Sequence, residues 1–154
     1  MFLYDGHSDA SMKIKRIMVC LDGSKNSLRG LDTAILFAKQ SNAEIIGVYS
    51  FTRYGLFTAV HTPKIKEEEW TNEAKGIMHT AQAKVEKNKL KFEPVVLAGH
   101  TAGYDLTTFA NNPKNKIDHI VIGARGMGFP KEIFFGSTSN FILHKANRPV
   151  TVVK

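Results

Sequence analysis

The sequence predicts an α/β fold: a single domain on a five-stranded parallel sheet in the order 3-2-1-4-5, with helices on both faces. Three observations carry this expectation. Apolar runs at 17–21, 45–48 and 120–122 are strand-sized and lack polar alternation, as strands buried on both faces require. Between such runs, apolar residues recur at helical spacing. The two patterns alternate strictly along the chain, and strict alternation with right-handed crossovers gives a parallel sheet.

Residues 1–12 have no periodicity and read as a flexible leader; the domain proper is expected over 13–154. Ile17–Leu21 is the first strand. Asp22-Gly23-Ser24 breaks it, and Ser24 is a good cap for an amphipathic helix over 25–40, with Leu28, Leu31, Ile35 and Ala38 on one side and Asn42 closing it. Residues 43–49 form the second strand. The aromatic-rich segment 50–63 is irregular. A long polar helix is expected over 64–89, with Trp70, Ala74, Ile77, Met78, Ala81 and Val85 inward and Glu67–Glu69 in its first turn. Phe92–Ala98 is the third strand, and Pro94, lacking an N–H, suits a sheet edge. A shorter helix follows, with Leu106, Phe109 and Ala110 inward, and stops at Asn111-Asn112-Pro113. Asp118–Gly123 is the fourth strand. After a loop over 123–136, Ser137 is expected to cap a helix over 138–146 that buries Phe141, Ile142 and Ala146. The chain returns through Arg148-Pro149 into a fifth strand at Val150–Val153.

In open sheets of this kind, ligands bind beyond the carboxyl ends of the strands, where the strand order reverses. The first and fourth strands meet there, and the residues after them suit a phosphate. Gly123, Gly126 and Gly136 let backbone approach an anion without a Cβ in the way. The N–H groups of Ser137, Thr138 and Ser139 open a helix, whose N-terminus is partly positive, and three hydroxyls can add hydrogen bonds. There is no Walker lysine pattern, and G-x-G-x-x-G is missing after the first strand, where only Asp22-Gly23-Ser24 stands.

The spacing Gly123-x2-Gly126-x9-Gly136-Ser137 resembles the nucleotide-binding signature of the universal stress protein family. The similarity extends to Val19-x-x-Asp22-Gly23-Ser24, to Asp118–Gly123, and to Arg148–Val153, and so spans residues 13–154. The resemblance implies a Rossmann-like adenine-nucleotide-binding fold of the ATP-binding branch. It assigns Asp22, with Ser24 beside it, to the adenosine part, Val48 to the adenine, Gly123, Arg125 and Gly126 to ribose and phosphate, and Gly136, Ser137, Thr138 and Ser139 to the phosphates. The implied function is regulatory ATP binding in a stress response, with slow or no hydrolysis and Mg²⁺ arriving with the phosphates. AMP or cyclic AMP binding, a purely dimerising module, and a genuine ATPase remain as alternatives. The last would need a water-positioning base, and Glu132 is the only acid between Gly123 and Lys154. The resemblance also implies a homodimer paired through the C-terminal strand 149–153, whose edge needs a cover.

At 154 residues two domains would each be too small for an independent core. Hydrophobic residues at 43% and charged residues at 23% exclude wholesale disorder. The net charge of +7 admits nucleic acid, but Lys84, Lys87, Lys89 and Lys91 are interleaved with Glu86 and Glu93, and small anions suit the charge at least as well. No apolar run approaches the roughly 20 residues that span a bilayer. One cysteine excludes an intramolecular disulfide, and a reducing cytoplasm is the expected location. Cys20 reads as a small apolar filler, and the six histidines have no metal-ligand spacing.

Overall fold

The computed structural model describes residues 13–52, 64–127 and 135–154. The expected leader over 1–12, most of the aromatic segment 50–63, and the loop centre with Phe129-Pro130 and Glu132 lie outside the described residues. The elements are β1 (Arg16–Cys20), α1 (Lys25–Ser41), β2 (Glu44–Thr52), α2 (Asn72–Lys87), β3 (Phe92–Gly99), α3 (Ala102–Asn111), β4 (His119–Gly123), α4 (Ser137–Lys145) and β5 (Val150–Val153). All five strands run parallel in the order β3-β2-β1-β4-β5, the expected sheet.

Side-chain alternation makes both faces of the sheet apolar. Ile17, Val19 and Leu21 pack with Ile45 and Tyr49 against Leu31, Ala34, Ala38, Met78 and Val85 of α1 and α2. Met18, Cys20, Ile46, Val48, Ile120 and Ile122 face Leu106, Phe109 and Ile142 of α3 and α4. Fully burying one such aliphatic side chain is worth about 1.5–3 kcal/mol, so two apolar faces are what hold the sheet central. The same topology explains the helix placement. From β1 to β3 the chain steps one way, then crosses back to β4 and steps the other way. Crossovers of one hand then put α1 and α2 on one face and α3 and α4 on the other. The reversal falls between β1 and β4.

Four local expectations change. β2 continues through Thr52, so 50–52 are strand paired to β3 rather than irregular. The second helix starts at Asn72, not 64. Ile65 N–H donates to Val96 O of β3 at 3.1 Å, and Lys64 bridges Leu97 in antiparallel sense, so this stretch lines the β3 edge. Glu67–Glu69 form a 3-10 turn, the Trp70 indole donates to Ile65 O at 3.2 Å, and the Thr71 hydroxyl caps α2 by accepting from Ala74 N–H. The last helix starts at Ser137, with Gly136 as its N-cap residue and no side chain capping it. Phe141 is exposed at the α3–α4 seam beside Gly103, because α4 is short and Ile142 is the apolar residue it buries.

The Ser24 cap and the Asn42 closure of α1 occur as expected: Ser24 Oγ accepts from Ser27 N–H, and Asn42 takes the left-handed conformation. Asp118, just before β4, accepts from the N–H groups of Lys15 and Arg16 at 2.8 and 3.0 Å and so fixes β4 against the start of β1. Across the first three strands, Arg16 pairs with Glu44 and Glu93. Burial pushes the Glu93 carboxyl up, but Arg16 and Lys64 outweigh it and hold the group below its ordinary value.

His119 sits where β4 meets β5. Its Nε2 lies 2.8 Å from Thr151 Oγ1, and its ring stands edge-on to Phe37 of α1. Burial lowers the imidazole below its ordinary value of 6.5. The folded state therefore disfavours the proton that the unfolded chain accepts. The stability this supplies is present above the unfolded value of about 6.5 and is lost as pH falls toward the lower folded value. Urea midpoints measured between about pH 8 and 5 should fall in the wild type and lose that component in His119→Gln.

Candidate functional site

A cleft of ≈ 230 Å³ opens at the carboxyl ends of β1 and β4. Its walls are built by three short stretches, each with a local reason for its shape.

The first is the turn after β1. Gly23 has φ +79°, a conformation that side chains disfavour. Asp22 Oδ1 accepts the Ser24 N–H at 2.9 Å, closing an Asx-turn. Asp22 lines the cleft. Ser24 is buried and occupied as the α1 cap, and is not among the lining residues.

The second stretch follows β4. A Cβ on Gly123 would fall 2.7 Å from the carbonyl carbon of Asn26, so this glycine lets β4 press against the first turn of α1. A Cβ on Gly126 would fall 2.6 Å from Asp22 Oδ2, so this glycine leaves room for the carboxylate. Ala124 N–H donates to Val153 O at 2.7 Å, anchoring the loop to β5. The Ala124 carbonyl accepts from Gly136 N–H at 2.8 Å and from Ser139 Oγ at 2.8 Å. These bonds bring the two ends of the glycine pattern together.

The third is the start of α4. Its first N–H groups have no acceptor within the helix, and the N-cap residue Gly136 has no side chain to cap them. They stand beside Arg125 and Gly126 on the cleft wall. Ser137 and Thr138 line the same wall. Ser139 differs from expectation: it is 2% exposed, and its hydroxyl proton is shared between Ala124 O and Gly136 O. Ser139 still lines the cleft, but that hydroxyl closes the loop, which leaves the hydroxyls of Ser137 and Thr138 uncommitted by it.

The cleft also has an apolar part, lined by Cys20, Ala102, Leu106 and Ile122, and Ser50 adds a polar group to the lining. Burial, and then the nearby Asp22 charge, push the Cys20 thiol far above its ordinary range, which leaves an inert filler. Tyr49, on the other sheet face, is pushed up to about 12 by burial, then by Glu73 and Asp22. Val48 is fully buried, its carbonyl accepts the Leu21 N–H at 2.9 Å, and it is not a lining residue. Ser50, two residues on and pointing to the same sheet face, lines the cleft instead. Sequence reasoning missed Ser50, Ala102 and Leu106. Only the two-residue strand period from Val48 could have pointed to Ser50.

The arrangement is dipolar. A helix N-terminus and Arg125 make one wall attractive to anions, while Asp22, lining the same cleft, accepts hydrogen bonds. Among the described residues, no three His, Cys, Asp or Glu side chains converge as a metal site, and no helix is long and apolar enough to cross a membrane.

Comparison with known proteins agrees with this architecture. The chain is 29% identical over 149 residues to the universal stress protein YxiE of Bacillus subtilis, covering 90% of this chain and 98% of that one. The universal stress protein from Archaeoglobus fulgidus in complex with dAMP superposes with a TM-score of 0.69 at 26% identity, covering 92% of this chain and 99% of the other. The universal stress protein UspA from Lactobacillus plantarum shares the fold, with a TM-score of 0.75 at 22% identity over 92% and 99% of the two chains. The model of the universal stress protein family matches residues 13–154, and the chain belongs to that family.

Proposed function

We propose that this protein is a nucleotide-binding regulator that takes ATP, or another adenine nucleotide, in the cleft between β1 and β4. One observation carries the reading: a helix N-terminus, a carboxylate and apolar side chains, the three kinds of group a nucleotide needs, line a single cleft. Phosphates suit the N–H groups of Ser137 and Thr138, with Gly126, Gly136 and Arg125 around them and Ser139 and Gly123 holding the wall in place. Ribose hydroxyls suit the Asp22 carboxylate, which Ser24 orients through its N–H. The ring suits the apolar part, beyond the buried Val48. The dAMP complex of the Archaeoglobus fulgidus relative supports the ligand class.

Residues 13–154 act here as one domain, and a cytoplasmic location fits the single reduced cysteine. Asp22 is the one carboxylate lining the described cleft, so Mg²⁺ would be held mainly by the phosphates. With Asp22 given to the ribose and no second carboxylate or histidine lining the described cleft, turnover is expected far below the ~1–100 s⁻¹ of kinases. Titration of the purified protein with ATP, AMP and cyclic AMP, beside mass spectrometry of any co-purifying ligand, tests the binding. A steady-state phosphate-release assay with Mg²⁺ tests the turnover, and a rate inside the kinase range would reveal a missed catalytic group.

The same reading includes a homodimer. Val150 and Val152 pack toward α3 and α4, and Val153 packs toward α1, so the valines are served by the protein's own core. The outer backbone edge of β5, however, has no neighbouring strand among the described residues. Pairing with a second copy about a two-fold axis satisfies that edge and closes the assembly. Sedimentation of the wild type should give a dimer, and Val152→Lys or a chain ending at 148 should give a monomer. A monomeric wild type at micromolar concentration would sink this part.

A further inference from the structure

The polar group that Ser50 adds to the cleft lining is held in one direction. Ser50 Oγ donates to Asp105 Oδ2 at 2.8 Å. Asp105 is fully buried in the first turn of α3, and its other oxygen accepts the His100 N–H at 3.3 Å. Gly99, at the end of β3, is where a Cβ would come within 2.5 Å of both carboxylate oxygens. The backbone is bare there, and the carboxylate fits against it. None of these contacts belongs to the phosphate wall.

A serine hydroxyl carries one proton and two lone pairs, while a carboxylate carries only lone pairs. The Ser50 proton is therefore committed to Asp105. Turning it toward the cleft would break a charge-assisted hydrogen bond inside the protein. Ser50 thus presents the cleft with an acceptor and no donor. Cys20, Ala102, Leu106 and Ile122 line the same cleft and suit a flat ring.

We propose that Ser50, oriented by Asp105, makes the site select a ring whose edge donates a hydrogen bond, the 6-amino group of adenine, over a 6-oxo purine. The inference rests on the nucleotide reading above. An amino group gives its proton to the Ser50 lone pair. A 6-oxo group sets lone pair against lone pair, and a polar contact left unmade at this half-buried acceptor is a basis for discrimination.

The test is equilibrium binding of ATP and ITP to the full chain, as wild type, Ser50→Ala and Asp105→Asn. The wild type is expected to prefer ATP by about tenfold or more. Ser50→Ala should bring the ratio close to one, mainly by weakening ATP. In Asp105→Asn the side-chain amide can donate to Ser50 Oγ and release its proton, so the ratio should fall mainly because ITP gains. A merely structural role would weaken both nucleotides together and leave the ratio unchanged. Ser50→Ala carries the test if Asp105→Asn does not fold. A wild-type preference that survives in Ser50→Ala overturns the selectivity role and leaves nucleotide binding standing. A wild type that binds neither ATP nor ITP overturns the nucleotide reading, and this inference with it.

Discussion

Gly136→Val is expected to weaken ATP binding by about a hundredfold or more while leaving the fold in place. The site would lose two charge-assisted hydrogen bonds of about 1.5–3 kcal/mol each, from the first N–H groups of α4 to the phosphates. The protein itself has little objection to a side chain at this position. Gly136 has φ −72° and ψ 164°, an extended conformation that β-branched residues adopt freely. A Cβ there would meet Arg125 Cα at 3.6 Å and Gly126 N at 3.7 Å, ordinary contacts. The valine methyls would have to occupy the gap between the loop and the helix start, which is the cleft wall. Valine is a poorer N-cap than glycine, so a stability loss of about 1 kcal/mol is expected, or roughly 2–4 °C in Tm. Isothermal titration beside a thermal melt checks both halves. Unchanged affinity in a folded variant would remove the phosphates from this wall.

Gly123→Ala should show the opposite pattern, a loss of stability before any question of ligand. The added methyl would sit 2.7 Å from Asn26 C and 2.9 Å from Asn26 O, both backbone atoms of α1 that have no rotamer to yield. Either α1 or the end of β4 must move. Overpacking of this kind costs about 1–3 kcal/mol, and Gly123→Val should cost more. The apo protein should therefore melt lower by roughly 2–12 °C. A Gly123→Ala protein with the wild-type melting temperature would show that β4 and α1 have slack the packing does not suggest.

These two glycines occupy one spacing pattern, and nothing in that pattern separates them. As letters, Gly123 and Gly136 both permit close approach of backbone. Their difference is a distance to residue 26, nearly a hundred positions earlier in the chain. Gly126 has a third reason, room for Asp22 Oδ2. Ser139 is similar: three hydroxyls in a row read as three donors, but the third is turned inward onto Ala124 O.

What the sequence by itself determined is the order and kind of the elements and the end of the sheet where a ligand belongs. Continuous apolar runs demand burial on both faces, amphipathic stretches demand one face, and their alternation leaves few topologies. The Ser24 cap and the Asn42 closure were legible for the same reason, since each rests on bonds within a few residues. Tertiary structure decided whatever depends on partners distant in sequence. Lys64–Trp70 carries helix-forming residues, yet Ile65 N–H is claimed by Val96 O on the β3 edge, and α2 waits for Thr71. Ser50 is an unremarked serine in the sequence, and becomes a fixed acceptor because α3 carries Asp105 to it across 55 positions. Local propensity and hydrophobic period are short-range properties that a sequence displays directly. The direction of a hydroxyl proton, or the space beside a glycine, exists only after the sheet has brought those distant residues together.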